Sequence, residues 1–244
     1  ENLWAEQAMS EGRTIRIERA VEFLRSADPV IQAWAVRLIG DQANGATPTG
    51  WEQGMSSLVA CAANATDSKL RSQLASTAKR LPATAGMKVV RELLLNGSNE
   101  KNESVVQPDI HVPMLIWWAI EEHCSKPEVV IETVRAHPEL YSNWTFLDFV
   151  APRLMRRFAA TGKRADLEIC SQLLELVLNA GSGPGGLAET AKQKYLDGFE
   201  LAFKGRSLAD LPQRLGGLLN RAGGGSELLK IRRGDRDAID ASLG

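Results

Sequence analysis

Three histidines, His111, His123 and His137, and three cysteines, Cys61, Cys124 and Cys170, are the side chains here best suited to hold a metal or attack a substrate. Zinc or haem ligation needs paired spacings: CxxC, CxxCH, or two ligands three or four residues apart on one helix face. None of these occurs. His123 and Cys124 are adjacent, so on a helix they point about 100° apart, and no second histidine lies three or four positions away to complete a shared face with them and Glu121. The thiols read as free core cysteines and the histidines as structural. Glu121 and Glu122 read as a solvated helix end or as partners of a neighbouring arginine, because a general acid or base needs a third group that the sequence does not imply. No catalytic, cofactor-binding or metal-ligating residue is expected in this segment.

Anion binding is the next chemistry to weigh. Gly183-Pro184-Gly185-Gly186 and Gly223-Gly224-Gly225 lack the preceding strand and following Lys-Ser/Thr of a phosphate cradle, so they read as turns or linkers. Arg153, Arg156, Arg157, Lys163 and Arg164 form a basic cluster with few acids near it, a candidate interaction surface. Residues 97–150 carry an acidic excess, and the two patches read as complementary either to each other or to other domains. A formal net charge of −1 and a pI near 6.4 remove the whole-chain field that would recruit nucleic acid. Four Asn-x-Ser/Thr sequons begin at Asn64, Asn96, Asn102 and Asn143, no more than chance supplies.

What must position these residues is helical. In the stretch from Asp28 to Asp41, Asp28 suits an N-cap and Pro29 a first helical position. Ile31, Trp34, Ala35 and Leu38 fall on one face, and Gly40 can close the helix. A second copy starts at Asp67, 39 residues on, and a third at Asp109, a further 42. Arg37 and Arg71 read as equivalent residues of a structural ladder to neighbouring repeats. Trp118 reads as buried in an all-round apolar central helix, and Trp34 likewise. Partner helices precede each copy, marked by Ile17, Ala20, Val21 and Leu24, then Met55, Leu58, Val59 and Ala62, then Val90, Leu93 and Leu94. A two-helix unit recurring every 40 residues or so has the HEAT or armadillo period, so the expected class is all-α, an α-solenoid of HEAT-like hairpins.

Helical spacing continues in Phe146, Phe149, Val150 and Leu154, in Leu167, Cys170, Leu173, Leu174, Val177 and Leu178, and in Ala191, Tyr195, Phe199 and Phe203. Gly181 to Gly186 is the expected hinge, dividing repeats in 1–180 from further repeats in 181–244. Val112 to Ile120, the most apolar stretch, is far too short to span a membrane. The opening Glu1-Asn2-Leu3-Trp4 reads as a processing boundary, and Gly234 to Leu243 as the start of another repeat cut short.

The Asp28–Asp41 phrase, then Arg71-Ser72-Gln73-Leu74-Ala75 with Arg80-Leu81-Pro82, then Val112 to Glu121, and later Leu196 to Arg206, resembles the helical-repeat region of large membrane-bound dehydrogenases of planctomycetes and verrucomicrobia that carry a c-type haem motif. The resemblance implies a sugar-dehydrogenase-like propeller before the repeats and a cytochrome c domain after them as partners. It implies an exported, periplasmic setting, and a parent protein that is an oxidoreductase. No CxxCH lies in this sequence, so no haem or other cofactor is expected here and no site residue carries over. The expected function is a non-catalytic scaffold that orients flanking domains. The alternatives are a stand-alone protein-binding module and a HEAT-type nucleic-acid enzyme, the latter disfavoured by the charge.

Overall fold

The computed structural model describes residues 16–43, 49–96, 111–179, 187–208 and 211–223, with residues 231 and 240. Among them every regular element is helical, as the all-α reading expects. In order these are α1 (Ile17–Phe23), α2 (Pro29–Asp41), α3 (Trp51–Asn64), α4 (Ser68–Ala78), α5 (Ala83–Asn96), α6 (Val112–His123) and α7 (Pro127–Ala136). After a 3₁₀ segment (Pro138–Ser142) and a π-helical segment (Thr145–Val150) come α8 (Ala151–Ala159), α9 (Arg164–Asn179), α10 (Leu187–Ala202) and α11 (Gln213–Arg221). The chain divides into two compact units, Glu1–Thr133 and Val134–Gly244. Asp109 and the Gly181 to Gly186 stretch lie outside the described residues.

In the first unit the helix starts are written by two aspartates. Asp28 accepts the Val30 N–H at 2.8 Å and Asp67 the Leu70 N–H at 2.9 Å, each satisfying one of the first-turn donors that a helix leaves open. Consecutive helices pair, α1 with α2, α4 with α5, α5 with α6. Alternate helices also pack: α1 on α3 and α3 on α5, α2 on α4 and α4 on α6. Two layers result, one of odd and one of even helices, with Leu58, Leu74, Val90, Leu93 and Ile116 buried in the unit. At one crossing only glycine fits. A Cβ on Gly86 would lie 2.5 Å from the Ala78 carbonyl oxygen and overlap the ring of His123.

Two expectations about this unit need correction. Trp34 and Trp118 are 41% and 47% exposed, while Trp117 is buried at 7%. The faces of α2 and α6 that turn inward are set by Ala35, Val36, Leu38 and Ile39 and by Ile116, Trp117, Ala119 and Ile120. Both helices are apolar nearly all round, so periodicity alone did not choose the face. Nor are Arg37 and Arg71 equivalent. Arg71 lies four residues after its N-cap, where the first copy has Gln32; Arg37 lies nine after its own. Arg71 is buried and donates to the Ala65 and Leu93 carbonyls at 3.4 and 3.2 Å. Gln32 donates to the Leu24 carbonyl at 3.0 Å. Both therefore reach back to the end of the preceding helix. Arg37 is exposed, 3.9 Å from Asp41 and stacked over Trp34.

In the second unit α8 packs on α9 and α10, and α9 on α10 and α11. Pro152 explains the π segment before α8. Proline has no N–H for the carbonyl four residues back and its ring clashes with it, and a wider turn relieves both. Buried Asn143 starts the segment by accepting the Phe146 N–H at 2.9 Å, and the Arg153 guanidinium donates to the Phe149 carbonyl at 2.9 Å. Gly198 of α10 lies directly on Pro152: a Cβ there would overlap the Pro152 carbonyl oxygen and stand 2.9 Å from its carbon. Tyr141 and Tyr195 meet hydroxyl to hydroxyl at 3.2 Å inside this core.

Candidate functional site

The groups that open the question of chemistry are dispersed. His123 is buried at the end of α6 with Nε2 2.9 Å from the Ala78 carbonyl oxygen, and burial holds its pKa below the usual value. It ties α6 to the end of α4. His137 faces Glu139 at 2.8 Å on the surface of the other unit. Burial raises the Cys61 thiol to about 11 and that of Cys170 to about 12, so neither supplies thiolate near neutral pH. All three cysteines are free. Tyr141 is likewise pushed up to about 12, which keeps the Tyr141–Tyr195 contact a neutral core hydrogen bond. Among the described residues no group of three or more His, Cys, Asp and Glu is placed to hold a metal ion, and no helix is long and apolar enough to cross a membrane. A cleft of about 300 Å³ among α1 to α4 is lined by Leu24, Arg25, Ser57, Cys61 and Asn64, among others, and burial keeps the Cys61 thiol there protonated near neutral pH.

Surfaces offer more than pockets. Four large apolar side chains are strongly exposed among the described residues, and three of them, Val30, Trp34 and Trp118, lie on α2 and α6. Shifting α2 by 39 and α4 by 42 residues puts the solvent-facing positions in rows. Val30, Lys69 and His111 make the first; Trp34, Gln73 and Leu115 the second; Arg37, Ser76 and Trp118 the third; Asp41, Arg80 and Glu122 the fourth. In the last row Arg80 pairs with Asp41 across the helices, which checks the alignment. The even-helix face thus carries two tryptophans on either side of a middle helix that presents polar side chains, Gln73 and Ser76, in their rows.

The basic cluster of the sequence splits in the second unit. Arg153 is occupied: its guanidinium lies 3.4 Å over the Phe149 ring, donates to the Phe149 carbonyl, and loses proton affinity to desolvation and to neighbouring Arg156. Arg156 and Arg157 fall in the last turn of α8, where cations complement the helix dipole. Lys163 and Arg164 stand at the start of α9, where they oppose it. Sequence proximity missed a further contributor. Arg206, beyond the end of α10, donates to the Ala160 carbonyl at 2.9 Å and lies over the Phe203 ring; exposed Lys204 stands two residues before it. Asn143, a sequon in the sequence, proves to be a buried cap.

Comparison with protein-family models, with curated proteins and with solved structures returned no match to this chain.

Proposed function

We propose that this chain is a non-catalytic scaffold, a HEAT-like array of helical hairpins that holds other polypeptide parts at a fixed separation. The observation that carries the reading is the recurrence of environments at the 39- and 42-residue offsets. Asp28 and Asp67 cap, Gln32 and Arg71 bond back, and the exposed rows on α2, α4 and α6 fall into register. An array in which each hairpin contacts its neighbours is stiff along its length, and suits spacing better than turnover. By resemblance, the parts held would be a dehydrogenase-like propeller and a c-type haem domain in an exported protein. The isolated chain titrated with haem and assayed with sugar substrates and an electron acceptor is expected to show neither a Soret shift nor turnover. Either signal would overturn the scaffold reading.

A second reading, a module that binds a separate protein, draws on the exposure of Trp34 and Trp118 on one face. Tryptophan is over-represented among residues that dominate interface energetics. The double variant Trp34→Ser with Trp118→Ser is expected to stay folded and to lose binding to whatever polypeptide the wild-type face holds. Unchanged binding in that variant removes this reading.

A further inference from the structure

We infer that the corner made by the end of α8, the 160–164 loop and the end of α10 is a docking surface for an acidic polypeptide segment carrying an aliphatic side chain. It needs only the second unit and stands whether or not the chain is a scaffold.

Exposed Arg156, Lys163 and Arg164 follow one another along the end of α8 and the loop into α9, Arg206 reaches that loop through the Ala160 carbonyl, and exposed Lys204 stands two residues before Arg206. Among the described residues Arg156, Lys163, Arg164 and Lys204 have no carboxylate partner. Of the acids around the loop, Asp166 accepts from the Thr161 hydroxyl at 2.7 Å and Glu168 pairs with Arg214; on α10, Asp197 accepts from the Gln193 amide at 2.8 Å. Stability does not account for the pattern. Arg206 caps a carbonyl and Arg156 suits a helix C-terminus, but Lys163 and Arg164 sit at the positive end of a helix of four turns and weaken it. Local choices that work against a helix's own stability are expected at functional sites.

The chemistry of the occupant follows from what is and is not exposed. Its charge must be negative. The Phe149 and Phe203 rings already lie beneath Arg153 and Arg206, so unpaired bases would find no free ring at this corner to stack on. One large aliphatic side chain is exposed on the same end of α10: Leu201, 53% exposed, three residues before Lys204. A cationic corner with one exposed aliphatic side chain on the helix end that carries Lys204 matches a short acidic peptide with one aliphatic residue. A membrane surface would call for a longer apolar stripe.

The test uses the whole chain and a fluorescein-labelled peptide of glutamates around a central leucine, read by anisotropy in about 50 mM salt, where the Debye length is still above about 10 Å. The wild type is expected to bind, and to bind about tenfold more weakly in about 200 mM salt. Lys163→Glu with Arg164→Glu is expected to bind at least tenfold more weakly while its melting temperature stays equal or rises, a split that a structural role for these residues would not give. Leu201→Ser is expected to lose a few-fold. Lys69→Glu with Lys79→Glu, a charge-matched change in the other unit, is expected to bind as the wild type does. The inference is overturned if the wild type fails to bind at low salt, or if the Lys163/Arg164 variant binds undiminished. Equal loss in the Lys69/Lys79 variant, or tighter binding of a single-stranded oligonucleotide or an anionic vesicle than of the peptide, overturns it too.

Discussion

Gly198→Ala should destabilise the second unit, although replacing glycine by alanine inside a helix ordinarily does the opposite. Alanine in a helix interior gains about 1 kcal/mol over glycine through propensity alone. Here the new methyl would stand 2.9 Å and 3.0 Å from the carbonyl carbon and Cα of Pro152, with the carbonyl oxygen closer still. Ordinary carbon contacts lie near 3.5–4.0 Å, so α8 and α10 must part by roughly 1 Å. No rotamer change relieves a clash with backbone, which places the overpacking cost at the upper end of its usual range, about 3 kcal/mol. Net destabilisation of about 2 kcal/mol follows, a lowering of the unit's melting temperature by roughly 8 °C. The control is internal: a Cβ on Gly217 of α11 meets nothing within 4 Å, so Gly217→Ala should stabilise by about 0.5–1 kcal/mol. Urea unfolding followed by circular dichroism measures both. If Gly198→Ala is neutral or stabilising, the close approach of α8 and α10 is wrong.

Other consequences are quicker to state. Asp28→Ala and Asp67→Ala should each lose about 1 kcal/mol in chemical denaturation, with the Asn variants nearly neutral, because the capping oxygen survives. Arg71→Met removes the donors to the Ala65 and Leu93 carbonyls, of which Ala65 keeps the Asn96 amide, and should lose about 1–2 kcal/mol, against at most about 0.5 for Arg37→Ala on the surface. His123 has its folded pKa depressed below 6.5 by burial, so the unfolded chain takes up the proton first as pH falls. Its stabilisation is complete above about pH 6.5 and is lost progressively below it. The melting temperature of the wild type should therefore drop more between pH 7.5 and 5 than that of His123→Gln, and parallel curves would remove this account of the histidine.

Much of the helical plan was legible because its signals are local. Asp28-Pro29 and Asp67 announce helix starts through groups that act within one turn, and the stripes Ile17, Ala20, Val21 and Leu24 or Tyr195, Phe199 and Phe203 are buried in the structure as their spacing implies. What failed were inferences that need a partner's position. α2 and α6 are apolar on most sides, so Trp34 and Trp118 could be assigned to solvent only once α4 was seen to lie between those helices. Arg37 and Arg71 look alike as letters but sit nine and four residues after their caps. Counting from the caps would have found Gln32 instead. The basic corner was half visible: Arg156, Lys163 and Arg164 are neighbours in sequence, whereas Arg206 arrives through a hydrogen bond spanning 46 residues. The π segment was unreadable in advance, though Pro152 and the cap Asn143 were its two available signs.

The most direct test of the central claim, that the first unit is a stack of equivalent hairpins, is a chain that begins at residue 49 and so lacks α1 and α2. Nearest-neighbour packing predicts that α3 to α6 keep their helical signal per residue and still unfold cooperatively at a lower temperature, since Asp67, Arg71 and His123 retain every partner named above. Collapse of the helical signal of the whole unit on removal of that one hairpin would contradict the account.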